Sequence, residues 1–180
     1  MGSITTCTLP EGALLRTYVD RGAYTDCYVT ECAQPVRHAE YVEAFYTTAV
    51  FKLERFLLSW FVNRPSTDAQ ARGVASGELA SFAAWSVEAR GPDQLLMCDF
   101  QGRTRSWLMT VPGLDGAPTK LYFGSAVVPA VEKRSGRKEM GFVFSALLGF
   151  HKLYSRILLR SAVNRLARIP SIADSGKRPA

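Results

Sequence analysis

The chain has 180 residues, of which 47% are hydrophobic and 21% are charged, and its formal net charge is +6. These proportions exclude a disordered chain, and the length suits one domain that buries about 70% of its unfolded surface. The sequence contains no run of about 18 uninterrupted apolar residues and no secretory signal. We therefore expect no membrane-spanning helix and a cytoplasmic location.

The positive charge is concentrated at the end of the chain. Residues 1–132 hold 11 basic and 14 acidic side chains, whereas residues 133–180 hold 11 basic and 2 acidic ones. Such a basic segment attracts phosphate-bearing surfaces, although a solvated helix face that keeps a protein soluble has the same composition. The composition leaves both interpretations open.

Four cysteines and two histidines show no metal-binding pattern. No two cysteines have CxxC spacing, and neither His38 nor His151 completes a ligand set. Cys27 and Cys98 lie in apolar, strand-like runs, where free thiols pack as small hydrophobic side chains. We predict free thiols in a reducing compartment, no metal ion and no cofactor.

The first part of the chain predicts a strand followed by a long helical segment. Residues 1–23 mix glycine, proline and charge, which indicates a loosely packed lead-in. Aromatic and β-branched residues over 24–30 predict a strand. Apolar residues then follow the helical period over 42–61, and Thr47-Thr48 indicates a kink or two successive helices.

A short helix and an antiparallel meander are predicted next. Thr67-x-x-Gln70 resembles a capping box that begins the helix, and Gly73 or Gly77 ends it. The periodicity then changes from about 3.6 to 2, which predicts consecutive strands. Turns that contain glycine separate the first three of four strands, and a glycine- and proline-rich loop precedes the fourth: 82–90, 94–100, 104–111 and 119–128.

Strict alternation assigns the faces of two of these strands. One face of the first strand carries Ala83, Trp85, Val87 and Ala89. One face of the third carries Arg105, Trp107, Met109 and Val111. If the strand register follows this alternation, we expect Trp85 and Trp107 to share a concave face.

The last predicted helix covers residues 140–169 and contains no acidic residue. Its apolar residues recur at spacings of three and four and form one buried stripe. Lys152, Arg156 and Arg160 follow one another at i, i+4 spacing and form a cationic stripe away from it. Residues 170–180 are predicted to form a flexible tail.

The order of these elements predicts one α+β domain over residues 24–169. Its core is a curved antiparallel β-sheet wrapped on the long C-terminal helix, with a helix pair after the first strand. This order is similar to the helix-grip fold of the START and Bet v 1-like (SRPBCC) superfamily, whose members include polyketide cyclases and lipid-transfer proteins.

Two short motifs carry a closer resemblance. The strand Tyr24-Thr25-Asp26-Cys27-Tyr28 and the Phe-His, Arg, Leu-Arg sequence within 148–160 resemble the bacterial DUF2867 family, with Gly149 in place of the family's usual proline. The resemblance covers residues 24–168 in the order of elements. It implies an uncharacterised bacterial protein, and it transfers no catalytic residue because the family has no established active site. The chain has no glycine-rich nucleotide-binding fingerprint.

A helix-grip arrangement leaves an apolar space between the sheet and the terminal helix. Aromatic residues from the first long helix, the meander and the terminal helix are expected to line this space: Phe45, Trp85, Trp107, Tyr122, Phe150 and Tyr154. Asp26 and Arg105 would supply its few polar groups. Core packing is the alternative role for the aromatic residues.

Three residues are candidates for acid–base chemistry. Asp26 lies inside a strand, where an aspartate needs a partner such as Arg105, and it would serve as a polar anchor, a general base or one half of a structural salt bridge. Asp99 also has Arg105 as a possible cross-strand partner. Histidine can serve as a general base near neutral pH, which makes His151 a candidate, but the sequence favours a half-buried helix histidine with a structural hydrogen bond.

Three functions remain open from the sequence. The first is a domain that binds a small hydrophobic molecule, and the second is a cyclase- or hydratase-type enzyme that uses an acid–base pair in the same space. The third is a peripheral adaptor that contacts a membrane surface or an acidic partner through Lys152, Arg156 and Arg160. No motif for specific nucleic-acid recognition is present. A closed cavity above roughly 300 Å³ would favour the first two.

Overall fold

The computed structural model describes residues 2–52, 66–128 and 142–168. These residues form an α+β fold with an open, antiparallel sheet, as the sequence predicts. The elements in chain order are β1 (Thr5–Thr6), α1 (Arg16–Asp20), β2 (Tyr24–Cys32), α2 (His38–Tyr46), α3 (Asp68–Ser76), β3 (Ser81–Phe82), β4 (Trp85–Arg90), β5 (Gln94–Asp99), β6 (Thr104–Val111), β7 (Thr119–Val127) and α4 (Phe142–Leu166). The predicted tail lies outside the described residues.

The sheet has seven strands in the order β1-β2-β7-β6-β5-β4-β3. The meander β3 to β7 consists of sequential neighbours, and β2 closes onto β7 along its whole length, from the pair Tyr24 and Val127 to the pair Cys32 and Thr119. The first long strand therefore lies beside the last one. Successive side chains of each strand point to opposite faces, and both faces are covered.

One side of the sheet, which we call the helix face, packs against α2, α3 and α4. Its centre is a cluster of aromatic rings around Phe45, whose ring centroid lies 4.9 Å from that of Phe123 on β7 and 5.3 Å from that of Tyr46. Phe51 and Phe82 extend the cluster towards β3. These side chains are buried almost completely, and their burial is the main stabilising contribution on this side.

The long helical segment is divided in two at its threonines, as predicted. Helix α2 ends at Tyr46, and helical residues resume at 49. The Thr48 hydroxyl donates to the Phe45 carbonyl and accepts the Phe51 backbone N–H at 3.2 Å, which caps the second helix. The predicted helix beyond residue 52 lies outside the described residues.

The predicted capping box of α3 is confirmed. The Thr67 hydroxyl accepts the Gln70 N–H, and the Gln70 side chain accepts the Thr67 N–H. The helix ends at Gly77, whose φ of 90° places it in the left-handed region that glycine adopts without strain.

The opposite side of the sheet, the lead-in face, is covered by residues 7–23. Leu15 and Tyr18 are 0% and 3% exposed, and they pack with Cys27, Trp107 and further residues of the sheet. The prediction of a loosely packed lead-in is therefore wrong. A five-residue helix gave too short a periodic signal to be recognised, although Tyr18 within it and Leu15 directly before it complete a core.

The first strand of the meander departs from strict alternation. A turn at 83–84 separates β3 from β4, and the register passes from Val87–Met97 directly to Ala89–Leu96, so Glu88 forms a β-bulge. Trp85 and Val87 pack on the helix face, but Ala89 packs on the lead-in face. The prediction that these residues share a face is wrong for Ala89 because the bulge reverses the parity of the strand.

The terminal helix is amphipathic, as predicted, over the part whose side chains are described. Leu158, Leu159 and Ala162 are buried, whereas Arg156 and Arg160 are exposed. The side chain of Lys152 lies outside the described set. Within the described residues, no helix has the length and apolar character needed to cross a bilayer.

Candidate functional site

The residues predicted to line one cavity lie on two faces of the sheet. Phe45, Trp85 and Tyr154 belong to the helix face. Trp107 and Tyr122 lie together on the lead-in face, with ring centroids 6.3 Å apart. The expectation that Trp85 and Trp107 share a face is therefore wrong, because odd-numbered positions of β6 point away from the helices.

The remaining predicted residues divide in the same way. Arg105 lies on the same face as Trp107, so it does not border a space beneath α4. The side chains of Phe150 and His151 lie outside the described set, so their predicted roles remain predictions. The predicted site combined residues of both faces. The polar groups of a site beneath α4 must instead come from the helix face alone.

Asp26 is the centre of a polar cluster on the helix face. It pairs across the strands with Ser125, whose hydroxyl and backbone N–H donate to Asp26 Oδ1 at 2.5 and 3.1 Å. The Tyr28 hydroxyl lies 3.4 Å from Oδ2. The predicted pairing of Asp26 with Arg105 is wrong, because the two side chains lie on opposite faces.

The polar cluster continues across the sheet in one row. Ser125 on β7 pairs with Ser106 on β6, and the Ser106 Oγ lies 3.2 Å from the hydroxyl of Tyr46 on α2. Ser106, Ser125 and Tyr46 are 6%, 2% and 0% exposed. The half-buried carboxyl group of Asp26 and three buried hydroxyls thus lie side by side next to the aromatic cluster, where side chains are usually apolar.

Tyr24 and Tyr28, which flank Asp26 on the same strand face, remain protonated at neutral pH. Burial raises the pKa of Tyr28 well above 10.0, and the charge of Asp26 adds to this effect. The Arg156 guanidinium of α4, 5.6 Å from the centroid of the Tyr28 ring, opposes it. Burial and Asp26 also raise the pKa of Tyr24. The cluster therefore offers a carboxyl acceptor flanked by phenol donors.

Four buried side-chain atoms on the elements of this side have no hydrogen-bond partner within the described part of the chain. They are His38 Nε2 on α2, Trp85 Nε1 on β4, and Ser155 Oγ and Asn164 Oδ1 on α4, and Ser155 is fully buried. A buried donor without a partner costs free energy, so it marks a position that a bound molecule can satisfy. Sequence reasoning overlooked the serines, although Ser106 and Ser125 stand out as small polar residues inside apolar strands.

Arg105 forms its ion pair on the other face. Its Nε donates to Glu88 Oε2 at 2.7 Å and to the Tyr18 hydroxyl at 2.7 Å, and the guanidinium lies 4.7 Å from the centroid of the Tyr18 ring. The Tyr18 hydroxyl in turn donates to Glu88. These hydrogen bonds hold α1 against the sheet through Arg105 of β6 and Glu88, the bulge residue of β4.

The predicted pair of Asp99 and Arg105 is not formed. Asp99 Oδ1 accepts the backbone N–H groups of Arg103 and Thr104 at 2.7 and 3.1 Å, and so it shapes the turn between β5 and β6. This use of an aspartate is common in turns and gives no indication of catalysis.

An open groove of about 420 Å³ lies between α2 and α3. Two ion pairs line it, with Arg37 and Glu40 2.7 Å apart and Arg72 and Glu43 3.8 Å apart, and Glu78 adds a further charge. The groove is therefore a solvated contact between helices, and it differs from the enclosed apolar space that the sequence predicts.

Among the described residues, no three His, Cys, Asp or Glu side chains are placed to hold a metal ion. Comparison of the chain with protein-family models, curated proteins and solved structures gives no match. The site must therefore be interpreted from its own geometry.

Proposed function

We propose that the protein binds a small, mainly apolar molecule with one polar group, between the helix face of the sheet and α4. The observation that carries this proposal is the row formed by the half-buried Asp26 and the buried Ser125 and Ser106 beside the aromatic cluster. Apolar burial would supply most of the binding energy, and the row would orient the ligand through its hydroxyl or amine group.

The path of α4 supports this location. Arg156 lies against Tyr28, and the Leu166 carbonyl accepts a hydrogen bond from Gln34, just beyond β2, at 3.0 Å. Helix α4 therefore runs in the direction of β2, and its first half extends from Tyr28 towards the Asp26 end of the sheet. A helix-grip arrangement requires a strand that pairs with β7 and a helix that lies along both strands. We therefore retain the resemblance to that superfamily and to DUF2867 as part of the proposal.

Native mass spectrometry of protein purified from its own host tests the proposal directly. We expect a co-purifying small molecule that denaturation releases, and a rise in melting temperature when the stripped protein is given that molecule again. If repeated preparations carry no molecule, and no member of an apolar ligand library raises the melting temperature, the proposal is wrong.

A pair of variants tests the role of the polar row. Asp26→Asn keeps the shape of the side chain but removes a charged acceptor, and hydrogen bonds to charged groups contribute about 1.5–3 kcal/mol. We expect the ligand Kd to rise about tenfold or more. Glu31→Gln changes an exposed carboxylate on the same strand and should leave the Kd unchanged. Because Asp26→Asn also alters native hydrogen bonds, Ser106→Ala provides a second, milder variant.

The same cluster would serve the alternative function, a cyclase- or hydratase-type enzyme, because a carboxyl beside a phenol can accept and return a proton. Conversion of the identified ligand by the wild type, and loss of conversion with retained binding in Asp26→Asn, would establish this activity.

The exposed side of α4 favours a peripheral membrane contact as a second candidate. Arg156 and Arg160 are exposed beside Ile157, which is 41% exposed, and anionic lipids attract such a surface. We expect the protein to sediment with phosphatidylserine vesicles at low salt, and Arg160→Glu to reduce this binding more than Arg103→Glu, which changes an exposed arginine elsewhere. Equal binding of both variants would reject this contact.

A further inference from the structure

Cys7 and Cys27 are directly opposed on neighbouring segments of the chain. The register of β1 and β2 pairs Thr6 with Tyr28, so the next residue pair is Cys7 and Cys27, and the Cys7 N–H donates to the Cys27 carbonyl at 3.0 Å. Cα atoms of such a hydrogen-bonded pair lie about 5.5 Å apart, within the range that a disulfide spans. The two sulfur atoms are 3.2 Å apart.

We propose that Cys7 and Cys27 form a redox-active dithiol that is oxidised to a disulfide by low-molecular-weight disulfides such as glutathione disulfide. The pair is independent of the polar row on the helix face, because Cys27 belongs to the lead-in face. Neither cysteine has another thiol within reach. Cys32 points to the helix face, and Cys98 lies on β5, three strand spacings or about 14 Å from β2.

The exposure of the two thiols sets the order of the steps. Cys7 is half-buried and Cys27 is 4% exposed, so the Cys7 thiolate attacks one sulfur of glutathione disulfide and releases one glutathione thiolate. The Cys27 thiolate then attacks the Cys7 sulfur of the mixed disulfide and releases the second glutathione. Two protein thiols are oxidised, one glutathione disulfide is reduced, and the thiol protons pass to the two glutathione thiolates.

The bond would enclose the segment that covers the lead-in face. Residues 8–26 include α1 together with the buried side chains Leu15 and Tyr18. In the reduced protein only non-covalent contacts hold the lead-in to the sheet: packing, the hydrogen bond of Tyr18 with Arg105, and the hydrogen bonds of Gly12 and Leu14 with Gln94. In the oxidised protein a covalent link would also hold the start of this segment to β2, so unfolding of the lead-in would become sensitive to the redox state.

The experiment uses the full chain, reduced and then equilibrated with glutathione disulfide. We expect intact mass spectrometry to show a loss of about 2 Da, and peptide mapping to place the cross-link between Cys7 and Cys27. The Cys32→Ser/Cys98→Ser variant should behave like the wild type, and Cys7→Ser should lose the cross-link. The melting temperature of the oxidised protein should exceed that of the reduced protein by about 6–12 °C.

Three outcomes would overturn the proposal. They are a folded protein that keeps all four thiols reactive towards an alkylating reagent, a stable glutathione adduct on Cys7 without the internal bond, and a cross-link that involves Cys32 or Cys98. Because Cys7 is not fully buried, Cys7→Ser should fold, so its loss of the cross-link would not reflect a loss of structure.

Discussion

The substitution Leu15→Ala tests whether the lead-in belongs to the folded core. Leu15 is fully buried on the lead-in face, and its Cδ2 lies 2.9 Å from the position that a Cβ on Gly124 would occupy. The side chain therefore packs directly against the backbone of β7 at the centre of the sheet. Its removal leaves a space that the rigid strand cannot fill.

The expected loss of stability follows from burial. Truncating a fully buried leucine to alanine usually costs about 2–5 kcal/mol, the sum of the lost transfer free energy and the cavity term. Because β7 cannot move towards α1 without breaking its pairing with β2 and β6, we expect about 3 kcal/mol. For a protein of this size, that corresponds to a fall in melting temperature of about 6–12 °C.

Urea denaturation at equilibrium, followed by tryptophan fluorescence, measures this loss. The matched control is Val19→Ala in α1, the helix that begins directly after Leu15, because Val19 is 45% exposed and its truncation should cost no more than about 0.5 kcal/mol. If Leu15→Ala and Val19→Ala had the same small effect, the packing of the lead-in on the sheet would not contribute to stability, and our interpretation of this face would be wrong.

Three further predictions follow from contacts of described residues. Gly124→Ala should destabilise the protein by about 1–3 kcal/mol in thermal denaturation, because its new methyl group would lie 2.9 Å from Trp107 Cε3; an unchanged melting temperature would contradict this. Burial lowers the pKa of His38 below 6.5, so the folded state binds its proton less well, and stability should fall as the pH drops below 6.5. His38→Gln should reduce that fall, and an identical pH profile would disprove it. Lys52→Met should cost at most about 1 kcal/mol in urea denaturation, since the ion pair with Asp68 is exposed, and a larger loss would show that the pair is stronger than its exposure implies.

The periodicity of the sequence predicted much of the fold, because the buried side of a helix or strand determines the spacing of its apolar residues. The break at Thr47-Thr48 and the capping box at Thr67 depend on hydrogen bonds within a few residues, and strand β2 and the amphipathic end of α4 have the residue patterns typical of a strand and of a helix with one buried side. Capping residues and residue patterns of this kind can be recognised in the sequence without knowledge of the rest of the fold. The resulting order of elements was enough to predict an α+β fold with an antiparallel meander.

The site was predicted less well because it depends on which face each strand position occupies. Alternation groups the residues of one strand but does not align the faces of different strands, so Trp85 and Trp107 were placed together although they lie on opposite sides. The bulge at Glu88 reverses the parity again. The partners of Arg105 could not be predicted either. Arg105 binds Glu88 in that bulge and Tyr18 in the lead-in helix, and not the nearby Asp99.

The pairing of β2 with β7 has a consequence for synthesis of the protein. Tyr24 pairs with Val127, so the first long strand, β2, emerges from the ribosome long before its neighbour β7 exists. At about 5–20 residues per second, the nascent chain exposes Cys27, Tyr28 and the rest of β2 for roughly 5–20 s. We expect molecular chaperones that recognise extended apolar segments to bind the unfinished polypeptide at this strand.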